Sequence, residues 1–132
     1  MSENGTVGVV LISHSRSLAE GAADVAMQVS AGAVRVVGVG GTEDGRLGTS
    51  IEALATAVEK VAAGLGVVVI PDLGSSVLTT KAYLADNPAG QVEVADAPFV
   101  EGAVAAAVAA AGRASLSDVV AAAEGARDVR KL

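Results

Sequence analysis

The sequence contains no cysteine and no tryptophan, and only one histidine, one tyrosine and one phenylalanine among its 132 residues. The absence of cysteine excludes disulfide bonds, cysteine-ligated zinc, iron–sulfur clusters and thiol nucleophiles. With aromatic residues at 2 %, the chain has almost nothing on which bases or sugars could stack. Basic residues are also few, 9 against 15 acidic ones, and the net charge of −6 argues against nucleic acid or an anionic membrane as a partner.

Long hydrophobic runs are missing as well. The longest extends from Gly102 to Gly112, whereas a membrane-spanning helix needs about 20 residues. The first 13 residues contain neither lysine nor arginine and no small-residue cleavage site, so they are not expected to form a signal peptide. We therefore expect a cytoplasmic protein. Its length fits a single domain, residues 1–132, with a core large enough to fold without a metal or a disulfide.

Segments with the pattern of strands alternate regularly with segments of helical periodicity. Aliphatic runs typical of strands occupy residues 7–12, 34–39, 66–70 and 91–94. Helical periodicity begins near residues 17, 50, 75, 99 and 115. Strict β–α alternation predicts a three-layer α/β/α domain with a mainly parallel sheet of four or five strands.

The polar residues that could perform chemistry lie where the predicted strands end. They form three groups, Ser13-His14-Ser15, Gly40 to Thr49, and Asp72 to Ser76. In parallel sheets, ligands bind beyond the carboxyl ends of the strands, where the strand order reverses. The helices after the first and third strands begin at Ser15–Ser17 and Gly74–Ser76, and helix N-termini attract anions. An anion site at this edge of the sheet is therefore predicted.

His14 is the candidate nucleophile, although a lone histidine at a strand end can also be inert and bonded to backbone. In the strand order 2-1-3-4, strands 1 and 3 are neighbours, and Asp72 could then reach His14. A carboxylate that holds one imidazole nitrogen fixes the tautomer and leaves the other nitrogen free to attack. No Gly-x-Ser-x-Gly motif supplies a serine nucleophile. Phosphorus is the expected electrophile and phosphohistidine the hypothesis, with the nitrogen undetermined.

The glycine-rich loop of residues 40–48 does not fit a nucleotide-binding motif. Arg46-Leu47 follows its Gly-x-x-x-x-Gly spacing, where a P-loop requires lysine and then serine or threonine, and Glu43 replaces the third glycine of the dinucleotide pattern. The loop either only permits a tight turn or covers a phosphoryl site with the help of Thr42 and Thr49. One histidine and one carboxylate do not fill a coordination shell, so no metal site is predicted.

Four segments, in order along the chain, resemble one known family. They are Val10-Leu-Ile-Ser-His-Ser15 with Leu18-Ala-Glu-Gly21, Gly40-Gly-Thr-Glu-Asp-Gly45 with Leu47-Gly-Thr-Ser50, Asp72-Leu-Gly-Ser-Ser76, and Ala97-Pro-Phe-Val-Glu-Gly102. The resemblance is to DhaM, the phosphotransferase subunits of phosphoenolpyruvate-dependent dihydroxyacetone kinases. Their fold is that of the mannose-type enzyme IIA of the sugar phosphotransferase system. The resemblance covers nearly the whole chain.

The resemblance implies a phosphotransferase that works through a phosphohistidine. His14 would accept a phosphoryl group from the phosphocarrier protein HPr and pass it to ADP held by the DhaL subunit, which with DhaK makes dihydroxyacetone phosphate. ADP or ATP and magnesium would belong to the partner subunit, and this chain would bind no cofactor. The family is homodimeric. Because the sequence ends at Leu132, the HPr-like and enzyme-I-like domains that some relatives carry are expected on separate proteins.

The resemblance also implies roles for individual residues. Asp72 matches the carboxylate that orients the histidine, and Ser75 and Ser76 would lie at the helix terminus that receives the phosphoryl group. Gly41 and Thr42 would lie in the loop beside it. Ser15 and Gly74 are added because they lie where the two helices are expected to begin. The predicted phosphoryl-binding residues are therefore Ser15, Gly41, Thr42, Gly74, Ser75 and Ser76.

Two other functions remain open. A mannose-type enzyme IIA of a sugar transporter would use the same histidine with a membrane-complex acceptor, although the 40–45 loop and Asp72–Ser76 favour the dihydroxyacetone kinase. A non-enzymatic interaction module would keep the fold without the chemistry. Arg16 either neutralises phosphate, binds a partner or is only an exposed arginine at the start of a helix. For Glu101 we expect a structural role at the start of a helix rather than a catalytic one.

Overall fold

Strands and helices alternate along the chain, as their periodicity predicts. The computed structural model describes residues 5–42 and 44–132. Its elements are β1 (Gly8–Ser13), α1 (Arg16–Val29), β2 (Val36–Gly40), α2 (Ile51–Val61), β3 (Val67–Pro71), α3 (Gly74–Asp86), β4 (Val92–Val94), α4 (Phe99–Ala111), α5 (Leu116–Gly125) and a 3-10 turn (Ala126–Asp128). No helix in these two ranges is both long and apolar enough to cross a bilayer.

The strands form a parallel sheet in the order β2-β1-β3-β4. This confirms the predicted fold class and strand order, with four strands in the described part of the chain. In the β1–β3 ladder, Ile12 is opposite Pro71. The two central strands therefore end at the same level, and the residues that follow them meet at one edge of the sheet.

Helices cover both faces of the sheet. Every residue of β1 and β3 is buried, as their unbroken aliphatic sequences predict. Because side chains alternate along a strand, Val9 and Leu11 pack with alanines of α1, α4 and α5 on one face. Val10 and Ile12 pack with Leu54 and its neighbours of α2 on the other. This three-layer arrangement holds the central strands rigid, and the polar residues are carried at their ends.

The helix starts differ in one respect that concerns the site. A serine caps each of α1, α2 and α5 by accepting a hydrogen bond from the N–H three residues later; these serines are Ser15, Ser50 and Ser115. In contrast, α3 begins after Leu73 and has no side-chain cap. The first backbone N–H groups of a helix have no partner within it. The N-terminus of α3 therefore keeps donors for an anion.

The close approach of α1 to β2 depends on Gly38. A Cβ atom at this position would lie 2.3 Å from the carbonyl oxygen of Ala19. We expect Gly38→Ala to lower the free energy of unfolding by about 3 kcal/mol, because the clash is with backbone and the helix must shift. Urea denaturation would measure this loss.

Gly21→Ala is the matched control, because Gly21 is exposed on α1 and an added Cβ would meet no atom within 4 Å. This change should raise the free energy of unfolding by about 0.5–1 kcal/mol through helix propensity. Equal stability of Gly38→Ala and the native chain would contradict the proposed steric contact.

Candidate functional site

The polar residues at the ends of β1 and β3 lie side by side. Beyond the last ladder pair, the N–H of Asp72 donates to the carbonyl of Ile12 at 3.1 Å, so the pairing extends into the residues after the strands. From here β1 leads toward β2 on one side, and β3 leads toward β4 on the other. This is the point at which the strand order reverses, where α/β sheets bind ligands.

His14 and Asp72 are joined by two hydrogen bonds. The imidazole Nδ1 lies 3.1 Å from Oδ1 of Asp72, and the backbone N–H of His14 donates to Oδ2 at 3.2 Å. The Nε2 atom, on the opposite side of the ring, is hydrogen-bonded to the hydroxyl of Ser75 in the first turn of α3. The His14 side chain is 27 % exposed and that of Asp72 only 7 %. The carboxylate is thus buried behind an accessible imidazole.

Hydrogen bonds lower the pKa of Asp72 and keep this carboxyl ionised well below neutral pH. Burial by itself raises the pKa of this carboxyl, but the hydroxyls of Ser76 and Ser13 lower it by donating at 2.6 and 2.8 Å. The N–H groups of Leu73 and His14 also donate to it. Together these donors bring the pKa of Asp72 from 3.8 to about 2.

The charge of Asp72 determines which ring nitrogen of His14 is available. An ionised carboxylate only accepts hydrogen bonds, so the contact between Nδ1 and Oδ1 requires a proton on Nδ1. In the neutral imidazole the lone pair is then on Nε2, which accepts the hydrogen bond of Ser75. The structure therefore favours Nε2 as the nucleophilic atom, a choice that the sequence left open.

The lowered pKa of Asp72 predicts a loss of stability in acid. Because the folded-state pKa, about 2, is below the ordinary 3.8, the ionised group stabilises the fold above about pH 4, and this contribution disappears as the pH falls toward 2. The contribution corresponds to about 2 kcal/mol. Urea unfolding of the native chain and of Asp72→Asn, at pH 6 and at pH 2.5, would measure it. Their difference in free energy should shrink in acid, and a constant difference would contradict the assignment.

The loop between β2 and α2 forms the opposite wall of the site. The N–H of Gly48 donates to the carbonyl of His14 at 3.0 Å. Gly41 has a φ of 75°, which favours glycine. Loop and helix start enclose a cavity of about 360 Å³ lined by His14, Ser15, Arg16, Ser17, Gly41, Gly45, Arg46 and Leu47. The cavity is thus lined by His14 and by two arginines, of which Arg46 is ion-paired with Asp44.

The residues predicted for phosphoryl binding lie at different distances from the imidazole. Ser75 contacts its Nε2 atom, while the hydroxyl of Ser76 donates to Asp72 behind it. Gly74 is the first residue of α3. Ser15 and Gly41 line the same cavity as His14, but the Ser15 hydroxyl also caps α1 by accepting from the N–H of Leu18.

Thr42 uses its hydroxyl within its own loop. Its hydroxyl donates to Asp44 and accepts from the N–H of Arg46, so it closes the turn of the loop. Its side chain lines an outer cavity together with Thr49, whose hydroxyl lies 2.6 Å from that of Thr79. These two threonines shape the loop and attach it to α3.

Ser13 has a role in the site that its sequence motif does not reveal. It is completely buried, donates to Oδ2 of Asp72 and accepts from the N–H of Ser15 at 2.9 Å. The available signal was its position, since it is the one hydroxyl at the end of the otherwise aliphatic β1. Which oxygen of Asp72 the Ser13 hydroxyl contacts depends on how β1 pairs with β3, and this pairing cannot be read from the sequence.

Two charged residues outside the central contacts also have defined places. Arg16 is exposed and lines the cavity beside His14. Glu101 is in the first turn of α4, 2.9 Å from the ammonium of Lys131, and does not line that cavity. Within residues 5–42 and 44–132, no group of three or more histidine or carboxylate side chains is placed to hold a metal ion.

Comparison with known proteins relates this site to a family. The mannose-type enzyme IIA family, described as "PTS system fructose IIA component", matches residues 8–120. Two Listeria innocua proteins named phosphoryl donor subunit DhaM of PEP-dependent dihydroxyacetone kinases 2 and 1 are 32 % and 37 % identical, over 77 % and 74 % of this chain and 84 % and 77 % of theirs. The DhaM of Escherichia coli K12 is 33 % identical over 86 % of this chain, which matches only 25 % of that longer protein.

Solved structures show the same architecture. The crystal structure of a protein described as being of unknown function superposes with a TM-score of 0.81 at 27 % identity, covering 91 % of this chain and 94 % of that one. A sigma-54 interaction domain protein from Enterococcus faecalis shares the fold, with a TM-score of 0.73 at 14 % identity over 95 % and 93 % of the two chains. By its sequence match and its fold, the chain belongs to the mannose-type enzyme IIA family and is one of its DhaM-like members.

Proposed function

We propose that this chain is a phosphohistidine carrier that accepts a phosphoryl group on Nε2 of His14 and delivers it to a dihydroxyacetone kinase. One arrangement carries the proposal: the ionised Asp72 holds Nδ1, while Nε2 points to the uncapped start of α3 beside Ser75. A nucleophile is thereby placed at an anion-binding helix terminus. The similarity to proteins named as phosphoryl donor subunits supports the same function.

The transfer exchanges one N–P bond for another. The lone pair of Nε2 attacks phosphorus as the bond between phosphorus and the donor's imidazole breaks, so no water and no additional proton are consumed. Asp72 stabilises the positive charge that develops on the His14 ring. The hydroxyl of Ser75 turns from Nε2 to a phosphoryl oxygen, and the first N–H groups of α3 donate to the others. Arg16 and Arg46 line the cavity beside His14, and Arg46 is paired with Asp44, so both place positive charge near the phosphoryl group.

The proposed donor is the phosphohistidine of HPr, and the proposed acceptor is ADP bound to DhaL, which works with DhaK. In this scheme the chain carries the phosphoryl group, and its partner subunit, which holds ADP and magnesium, phosphorylates dihydroxyacetone. The exchange takes place in the cytoplasm with the chain as a homodimer. The relatives are named phosphoryl donor subunits of PEP-dependent dihydroxyacetone kinases, which supports such a kinase as the system that receives the phosphoryl group.

A second candidate is the enzyme IIA component of a mannose-type sugar transporter. The family description, which names a sugar phosphotransferase component, favours it. The same histidine chemistry would apply, and only the acceptor would differ. A non-enzymatic module of this fold would in contrast take up no phosphate.

The test is phosphoryl transfer in a purified mixture of phosphoenolpyruvate, enzyme I, HPr and this chain. Intact mass, read under alkaline conditions in which phosphohistidine survives, should show one added phosphate per chain. Addition of DhaL–ADP with DhaK and dihydroxyacetone should remove it and form dihydroxyacetone phosphate. Removal only by a mannose-type transporter domain would support the second candidate. No uptake from a competent donor would contradict both carrier functions.

A further inference from the structure

We propose that Ser13 is a positioning residue that holds the Asp72 carboxylate in the orientation from which it directs the His14 imidazole. The expected effect of Ser13 on the rate of phosphoryl transfer to His14 rests on the proposed function. The structural part of the inference, the effect of one buried hydroxyl on the carboxylate and the ring, is independent of any phosphoryl donor.

Both hydrogen-bonding capacities of the Ser13 hydroxyl are used at the site. Its Oγ–H donates to Oδ2 of Asp72 at 2.8 Å, and the oxygen accepts from the N–H of Ser15 at 2.9 Å. The side chain is fully buried at the end of β1, so water does not replace either partner. One hydroxyl therefore connects the ends of the two central strands with the start of α1.

The two oxygens of Asp72 are held unequally. Oδ1 accepts hydrogen bonds from the hydroxyl of Ser76 at 2.6 Å and from the N–H of Leu73 at 2.7 Å, in addition to the one from Nδ1 of His14. Among the described residues, Oδ2 receives only Ser13 and the longer, 3.2 Å bond from the backbone N–H of His14. Ser13 is thus the one side-chain donor that prevents Oδ2 from turning.

Rotation of the Asp72 carboxylate would change the orientation and the tautomer of the His14 imidazole. If Oδ2 is released, the group can turn about its Cβ–Cγ bond, and the alignment of Oδ1 with Nδ1 is lost. The loss of a donor also destabilises the ionised carboxylate, which raises its pKa. A less firmly held Nδ1 proton means a smaller population of the tautomer with its lone pair on Nε2, and a ring aimed less well at the start of α3.

The experiment compares Ser13→Ala with Ser30→Ala. Ser30 is also a buried serine, but its hydroxyl donates to the carbonyl of Met27 at the C-terminal end of α1, away from the site. Ser30→Ala loses one hydrogen bond and Ser13→Ala loses two, one of them to a charged group, so Ser13→Ala is expected to be the less stable of the two. Thermal unfolding verifies that each folds. Ser13→Cys, which retains a weak S–H donor at this position, is the conservative variant.

Three measurements are made on each variant. Carboxyl ¹³C NMR titration gives the pKa of Asp72, ¹⁵N NMR gives the tautomer of His14, and the initial rate of phosphorylation by phosphorylated HPr gives the function. For Ser13→Ala we expect the pKa of Asp72 to rise by about one unit, the Nδ1–H tautomer to decrease, and the rate to fall about tenfold. Ser13→Cys should lie between Ser13→Ala and the native chain, and Ser30→Ala should stay within about twofold of native.

The proposal is overturned if Ser13→Ala and Ser30→Ala have the same Asp72 pKa and His14 tautomer. It is equally overturned if those spectra change but the two variants accept the phosphoryl group at the same rate. If the native chain accepts no phosphate at all, the proposed function is wrong, while the two NMR measurements still decide whether Ser13 positions the carboxylate and the ring.

Discussion

Replacement of His14 by glutamine is expected to reduce phosphoryl uptake to background, a loss of at least about 10⁴-fold in rate. His14 is the only histidine of the chain, and its Nε2 atom, which contacts Ser75 in the first turn of α3, is the proposed nucleophile. A glutamine amide can still donate to Asp72, so the carboxylate keeps a partner, but an amide nitrogen has no available lone pair. The change therefore removes the nucleophile and leaves the buried anion paired.

The measurement is intact mass after incubation with phosphoenolpyruvate, enzyme I and HPr, under alkaline conditions. Gly21→Ala, on the exposed side of α1, is the control and should be phosphorylated as the native chain is. Circular dichroism and unfolding in urea verify that His14→Gln is folded. A phosphate that appears on this variant at the native level would show that another residue carries the group, and would refute the assignment of His14.

Replacement of Asp72 by asparagine is expected to slow phosphoryl uptake by about 10²–10⁴-fold without abolishing it. The neutral amide no longer stabilises the charge that develops on the His14 ring. It can also present its NH₂ group to Nδ1, which favours the tautomer whose proton is on Nε2. The nucleophilic lone pair would then point back into the protein, at the position where Asp72 now accepts from Nδ1.

Two measurements distinguish this effect from simple destabilisation. The ¹⁵N spectrum of His14 should show the proton moved from Nδ1 to Nε2, and the rate should be measured at temperatures where the variant is fully folded. Asp24→Asn is the control, because Asp24 is exposed on α1 and its replacement removes the same charge away from the site. An Asp72→Asn variant that retains the native rate and the native tautomer would refute the role assigned to this carboxylate.

The elements of the fold were largely predictable, because helix and strand periodicity are local properties of the chain. The helix start predicted near residue 99 agrees with Phe99, the first residue of α4, and the two fully buried strands agree with the aliphatic runs of residues 7–12 and 66–70. The helix start predicted near residue 115 agrees with α5, which is capped by Ser115, whose hydroxyl accepts from the N–H of Asp118. Each of these features depends on residues within a few positions of one another.

The site was predictable in its residues but not in its detailed contacts. His14 and Asp72 were chosen because both follow strands, and their hydrogen bond requires β1 and β3 to be neighbours in register. Thr42 was expected beside the phosphoryl group, but its hydroxyl is used inside its own loop. The role of Ser13 could not be predicted, because the direction of a side chain at a strand end depends on which residue the neighbouring strand places opposite it.

The sequence by itself determined the class of the fold, the absence of cysteine chemistry and the presence of a single imidazole, that of His14. These follow from composition and from short-range periodicity. Only the tertiary structure decided that Asp72 binds Nδ1, that Nε2 meets the hydroxyl of Ser75, and that Ser13 donates to the Asp72 carboxylate. The physical reason is that these contacts join residues about 60 positions apart, and hydrogen bonds a few ångströms long exist only once strand order and register have set the backbones side by side.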